Sequence, residues 1–393
     1  MKELAKEKIE KINGILAASP PLLFHGLFNG SLGLLLYYYH AGKALQNGAL
    51  LQEAEAMLGQ VFEDMNETDG GLIGAAISSG GAGLGFAANY LQQHGLIDFD
   101  TDEELFELDA YLAESALQQM DEDNPDPLHG ALGILYYFTT RHQTPAINAW
   151  VNAIAAKVAS KAIVTESGIW FKNVFWKEPN DPAEINLSLS HGLAGILVVL
   201  LKAYPYLTDA GPVEKVIREG LRFIQGHECE FDLEKKYYSF FPGNYLVKDG
   251  RTVHPTERLA WCYGDLNQVL LFYRAGNVLK DPTYTALAER VGVATLARNT
   301  LKLTFNEDVQ FCHGSAGLAQ FYKALYNESQ NPVYRERYEH WIKTTLDMID
   351  DCIAENKFDK SPCGLLEGWA GVGMVLAEYI SDEPMEWGKV FML

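Results

Sequence analysis

Ser190-His191-Gly192-Leu193-Ala194-Gly195-Ile196-Leu197-Val198-Val199-Leu200-Leu201 sets a Gly-x-x-Gly element directly before an unbroken apolar run. The element returns as Gly30-Ser31-Leu32-Gly33, Gly80-Gly81-Ala82-Gly83, Gly130-Ala131-Leu132-Gly133, Gly264-Asp265-Leu266-Asn267, Gly314-Ser315-Ala316-Gly317 and Gly368-Trp369-Ala370-Gly371. Of these seven copies, only the fifth ends in Asn. Successive first glycines stand 50, 50, 62, 72, 50 and 54 residues apart. A recurrence of that size marks a repeat architecture. The residues before the first glycines are Asn29, Ser79, His129, His191, Tyr263, His313 and Glu367. If the repeats close into a ring, these polar side chains converge on one place.

The apolar runs that follow include Leu34-Leu35-Leu36-Tyr37-Tyr38-Tyr39 and Ile134-Leu135-Tyr136-Tyr137-Phe138. Runs apolar nearly all round fit helices buried on every side. Stretches 104–120 and 335–349 are amphipathic and read as outer helices with one face in solvent. Two helices per repeat predict about fourteen helices. The fold class expected is all-α: an α/α toroid of seven helical hairpins, one domain over residues 1–393. An open solenoid would leave its inner helices partly exposed, and these are too apolar for that. The Gly-rich loops then lie at the N-termini of the inner helices, at one end of the barrel. Two longer segments, 170–186 and 228–255, precede the fourth and fifth repeats and are candidates for the walls of a cavity mouth. The second reads as an extended loop or hairpin from its Pro, Gly and Asp-Gly punctuation.

The chain of 393 residues is 48% hydrophobic and 21% charged, the balance of a soluble globular protein. Its net charge of −21 argues against a nucleic-acid or anionic-membrane partner, since both require basic surface. A cationic ligand would suit that charge, and solubility explains it as well. Residues 1–19 carry no secretory pattern, and the run 196–201 is far too short to cross a bilayer. Five cysteines are too few and too odd in number for a secreted scaffold. The expected compartment is the cytoplasm, with thiols reduced.

Cys262 and Cys312 stand two residues before the first glycines of adjacent repeats, and His313 follows Cys312. Two thiolates and an imidazole make a three-ligand zinc site with one position open for water or substrate, as catalytic zinc requires. A lone buried Cys is more often a small hydrophobe; the matched placement of this pair argues for metal. Other polar residues share the level: His191, Asp126 four residues before Gly130, Arg258 four before Cys262, and Tyr263. Asp126, ahead of Pro127, also reads as a helix cap.

Trp261-Cys262-Tyr263-Gly264, Cys312-His313-Gly314 and Ser190-His191-Gly192-Leu193-Ala194-Gly195 resemble the signature motifs of the lanthionine synthetase C-like family. The resemblance covers essentially the whole chain. It implies an α/α toroid with a central zinc ion that adds a peptide cysteine thiol to dehydroalanine or dehydrobutyrine, forming thioether rings. It assigns zinc to Cys262, Cys312 and His313, and active-site roles to His191, Asp126, Arg258 and Tyr263. A dehydrated precursor peptide would be the substrate, with a dehydratase as a possible partner. On this reading His191 protonates the enolate, Asp126 orients the imidazole or relays the proton, and Arg258 stabilises the enolate oxygen or positions the peptide. Many members follow Trp-Cys-Tyr-Gly with a Pro-Gly turn; here Asp265-Leu266-Asn267 stands instead. Some members carry a small inserted domain, and no interval here houses one comfortably. Three competing readings remain: addition of glutathione or another small thiol to dehydroamino acids, a zinc-containing peptide-binding scaffold without turnover, and a glycosidase. The paired Cys and Cys-His motifs count against the last.

Overall fold

The computed structural model describes residues 1–65, 71–98, 100–174, 184–246, 251–255 and 257–393. In chain order the helices are α1 (Lys2–Ala17), α2 (Ser31–Leu45), α3 (Gly48–Asp64), α4 (Gly81–Gln93), α5 (Thr101–Glu104), α6 (Phe106–Asp121), α7 (Ala131–Thr140) and α8 (Pro145–Ser160). Then come α9 (Leu193–Ala203), α10 (Gly211–Gln225), α11 (Asp265–Leu279), α12 (Pro282–Thr295), α13 (Leu301–Thr304), α14 (Ser315–Ser329), α15 (Pro332–Ala354) and α16 (Trp369–Ile380). The short strands are β1 (Ile163–Thr165), β2 (Gly168–Trp170), β3 (Glu184–Asn186), β4 (Pro242–Leu246) and β5 (Arg251–Pro255).

Seven helices begin at a Gly-x-x-Gly element: α2, α4, α7, α9, α11, α14 and α16. They are the expected buried helices. All of α9 except Lys202 is buried, and so is α7 from Ala131 through Thr139. Their N-caps are glycines without a capping side chain, because the preceding chain folds back onto the helix start. At Gly195 a β-carbon would overlap the Leu189 carbonyl oxygen. Glycine is the residue that admits so close a backbone approach.

The helices between them start differently. Asn47, Thr144, Asp281 and Asn331 each accept a first-turn N–H through the side chain. Three of these caps are followed by proline at the first helical position, where its missing N–H costs nothing. Each cap stabilises its helix by about 1 kcal/mol relative to alanine. These helices bury one face: α10 packs Val213, Val216, Ile217, Leu221 and Ile224 inward while Lys215 and Glu219 stay wetter.

The chain divides into two compact units. One comprises residues 1–74, 78–87 and 299–393. In it α16 packs against both α2 and α14, with α1, α3 and α15 outside them. The turns that open its buried helices hydrogen-bond in series: Cys312 N to Leu366 O, Leu365 N to Phe28 O, and Phe28 N to Ser78 O. The other unit comprises residues 75–77 and 88–298. There α9 packs between α7 and α11, with α6, α8, α10 and α12 outside. In each unit the Gly-rich turns therefore gather at one end of their helices. The two longer segments meet in the second unit, where β3 pairs with β4 and β4 with β5 in one antiparallel sheet. The hairpin reading of 228–255 thus holds for 242–246 with 251–255, and β3 from the other segment extends it.

Candidate functional site

Asp126 closes the turn before α7. Its Oδ1 accepts the N–H groups of Leu128 and His129, both at 2.9 Å. Its Oδ2 lies 3.0 Å from His191 Nδ1, at the start of α9. The capping role and the pairing with His191 thus coexist. Burial alone would push this wholly buried carboxyl up, but the bonds from His191 and the two N–H groups outweigh it and hold it below the usual carboxylate range. An ionised Asp126 can only accept, so His191 Nδ1 carries the hydrogen and Nε2 is the basic nitrogen. His129 stacks on His191 with ring centroids 5.5 Å apart, and burial, against the pull of Asp126, lowers its pKa.

Asn173, on segment 170–186, donates Nδ2 to Asp126 Oδ2 at 3.1 Å and to the His191 carbonyl at 2.9 Å. Tyr263 accepts a hydrogen bond from Asn186 Nδ2 at 2.9 Å, and burial raises its phenol pKa. His191, Tyr263, Asn173, Asn186 and Asn244 line one cavity of about 200 Å³. Both longer segments contribute to its wall, as expected. Of their aromatic residues, Phe171 lines the cavity, Trp170, Phe240 and Phe241 are buried, Tyr238 is half-buried and Tyr237 is exposed. Phe175 and Trp176 lie outside the described residues. Arg258 stands exposed on the coil leading to Cys262; no helical turn joins the two.

The fifth repeat reaches the same end by another route. Gly264 takes φ +114°, where Gly192 has −123°. In place of the second glycine, Asn267 donates Nδ2 to the Trp261 carbonyl at 2.9 Å and accepts Leu189 N–H at 2.9 Å. Where Leu189 O presses on Gly195, the equivalent Trp261 O is thus met by a side-chain amide. Asp265 Oδ1 accepts the N–H groups of Phe240 and Phe241, both at 3.0 Å, tying segment 228–255 to α11. Cys262 sits in the turn closed by Ala260 N–H to Tyr263 O at 2.9 Å, and its carbonyl accepts Ser190 Oγ–H at 3.2 Å.

In the other unit, Cys312 and His313 occupy the turn before α14, Cys312 buried and His313 half-buried. The ligand set expected from the sequence takes Cys262 from the second unit and Cys312 and His313 from the first. Two sheltered thiols and an imidazole are the soft donor set that suits zinc, and three ligands leave a coordination position open.

Three amides that shape the cavity, Asn173, Asn186 and Asn244, escape the sequence reading. A periodic signal points to one of them. Asn124, Asn186 and Asp308 each stand six residues before a first glycine and accept the N–H two residues on. Asn173 and Asn244 follow no such rule.

The chain belongs to the lanthionine synthetase C-like protein family, which matches residues 25–392. It is 27% identical over 213 residues to the nisin biosynthesis protein NisC of Lactococcus lactis subsp. lactis, covering 50% of this chain and 45% of that one. It is 27% identical over 203 residues to the glutathione S-transferase LANCL1 of Danio rerio, covering 49% of this chain and 42% of that one. The matched stretches therefore span less than half the length of these relatives. The solved structure of nisin cyclase superposes with a TM-score of 0.78 at 18% identity, over 100% of this chain and 97% of that one. The two share a fold, and the all-α toroid class expected from the repeats is the class of this chain. No helix among the described residues is long and apolar enough to cross a membrane.

Proposed function

We propose that this chain is a zinc-dependent cyclase that adds cysteine thiols of a dehydrated precursor peptide to dehydroalanine or dehydrobutyrine, closing lanthionine and methyllanthionine rings. The observation that carries this reading is the buried Asp126–His191 pair opening onto a cavity it shares with Tyr263, the residue next to Cys262. The reading takes residues 1–393 as one working domain, with Cys262, Cys312 and His313 as zinc ligands. Bound there, zinc would supply a Lewis acid that ionises the incoming thiol, which at a pKa near ~8.5 is mostly protonated at neutral pH.

The chain's own residues supply the rest. Addition to the β-carbon leaves an enolate that needs a proton at the α-carbon. His191, held by Asp126 through Nδ1, delivers that proton from Nε2. Tyr263, with its phenol proton retained by burial, donates a hydrogen bond toward the developing oxyanion, and Arg258 meets the peptide at the surface. Asn186 and Asn244 offer amide groups to a peptide backbone along the cavity wall. Five free cysteines suit a reducing compartment, and the cytoplasm is proposed, beside a dehydratase that prepares the substrate.

The likeness to a glutathione S-transferase keeps a second reading in play, in which the nucleophile is a free small thiol. One reaction separates them. A dehydrated, cysteine-containing peptide is offered together with glutathione, and products are weighed by mass spectrometry after thiol alkylation. Ring product should dominate. A dominant glutathione adduct overturns the cyclase reading, and no turnover of either kind leaves a peptide-binding scaffold.

A further inference from the structure

In the first unit, three side chains form a hydrogen-bonded chain that the function above does not use. Asp64 Oδ2 lies 2.9 Å from His25 Nε2, and His25 Nδ1 lies 3.1 Å from Ser31 Oγ. Gln60 Nε2 donates to the other Asp64 oxygen at 2.7 Å, fixing the carboxylate. His25 is almost wholly buried, whereas Asp64 is about one-third exposed. A carboxylate accepts only, so Nε2 carries the imidazole hydrogen. Nδ1 is then the acceptor, and the Ser31 hydroxyl points its proton there. The competing acceptor, the Phe24 carbonyl oxygen, is farther away at 3.3 Å.

His25 and Ser31 both face a cavity of about 300 Å³, whose walls include Leu16, Leu22, Leu34 and Met57. Ser31 is the first residue of α2, a helix of 15 residues. The Ser31 N–H is taken by the Phe24 carbonyl at 3.0 Å, and the helix end carries partial positive charge. A nucleophile, a base bonded to it, an orienting acid and a positive helix end are the parts of an acyl-transfer site.

We propose that Ser31, His25 and Asp64 form a second active site that hydrolyses carboxylic esters with an apolar acyl group. Ser31 Oγ bonds to the ester carbonyl carbon while its proton passes to His25 Nδ1. The carbon–alkoxy bond breaks, and the alcohol leaves with that proton. Water then attacks the acyl-Ser31 ester, giving up a proton to His25, and the carboxylic acid departs as Ser31 recovers its hydrogen. The leucine and methionine walls receive the acyl chain. Ser31 and His25 are the catalytic residues; Asp64 acts through His25 and is a positioning residue.

The test uses the full chain, an alkyl fluorophosphonate and p-nitrophenyl butyrate. The phosphonate should add once, with loss of fluoride, and peptide mapping should place it on Ser31. Ser31→Ala should abolish the adduct and the ester hydrolysis, with the helical circular dichroism unchanged. His25→Gln should slow labelling about 100-fold or more. Asp64→Asn should slow hydrolysis of p-nitrophenyl butyrate through kcat with KM unchanged, and Asp64→Glu should restore part of the rate; a merely structural role would raise KM as well. His25 is buried and its replacement can loosen the fold, so the mapping on the unaltered chain decides by itself. No adduct, an adduct on Cys363 or elsewhere, or undiminished hydrolysis in Ser31→Ala overturns the proposal. Ring closure is independent of all these outcomes.

Discussion

His191 Nδ1 and Asp126 Oδ2 lie 3.0 Å apart, across the turns that open two neighbouring buried helices. The carboxylate is wholly buried; its other oxygen accepts two backbone N–H groups, and Asn173 donates to the same oxygen as His191. It cannot turn away from the imidazole without stranding those donors, which would cost about 1–3 kcal/mol each. The ring is therefore set by the fold before any substrate arrives, with Nε2 as the proton-exchanging atom.

His191→Ala should slow ring closure about 100- to 10,000-fold, the span of general acid–base catalysis. Zinc content should stay at the wild-type value, because His191 is not among the proposed ligands. Asp126→Asn should keep part of the rate, since its amide oxygen can still accept from His191 Nδ1. Thioether formation followed by mass spectrometry across pH 5–9 reads both. Wild-type rates in His191→Ala would remove it from the mechanism.

Cys262→Ala and Cys312→Ala should each lose most of their zinc while the helical circular dichroism is largely kept. The thiols are two of three proposed ligands, and the buried helices stand on apolar packing instead. Metal analysis of the purified variants, with Cys352→Ala as the comparison, checks the assignment. Full occupancy in either ligand variant would end it.

Much of this was legible in the chain. Gly-x-x-Gly before an apolar run located all seven buried helices, because close approach of the preceding turn tolerates no β-carbon, as at Gly195. The amphipathic stretches 104–120 and 335–349 fall on α6 and α15, two of the outer ones. The pair His191 and Asp126 was legible because both are fixed relative to a repeat glycine. Asn173 and Asn244 were not, since they lie on segments outside the repeat: Asn244 is placed by the pairing of β4 with β3, and Asn173 by its bonds to Asp126 and His191. The exposed position of Arg258 was equally hidden: a spacing of four residues from Cys262 fits a helical turn or a tight loop alike and does not tell which way the side chain faces.

Asn267 replaces the glycine found in the other repeats and bonds both Trp261 O and Leu189 N–H. Asn267→Gly should restore the common sequence yet destabilise the protein, by about 1–3 kcal/mol for the buried groups left unpaired. The turn carrying Cys262 would loosen with it, so zinc should be lost at a lower chelator concentration. Urea unfolding and a chelator titration measure the two effects. Unchanged stability would mean that Trp261 O and Leu189 N–H find other partners.

Asp265 gives the sharpest pH prediction. Burial pushes its carboxyl up to about 6, against the N–H groups of Phe240 and Phe241, which favour the charged form. The unfolded chain releases this proton near 3.8. Between those values the folded state holds more protons than the unfolded state, so the contribution to stability falls as pH rises. By neutral pH that contribution lies on the order of 3 kcal/mol below its value at low pH. Asp265→Asn keeps an oxygen to accept both N–H groups and cannot ionise. Its stability relative to wild type should therefore improve as pH climbs from about 4 to about 7. Urea unfolding of both proteins at several pH values in that window measures the difference, and other titrating groups cancel in the comparison. A difference that is flat with pH, or that falls, would show that Asp265 is ionised in the folded protein throughout. The two backbone bonds would then outweigh burial in fixing its charge.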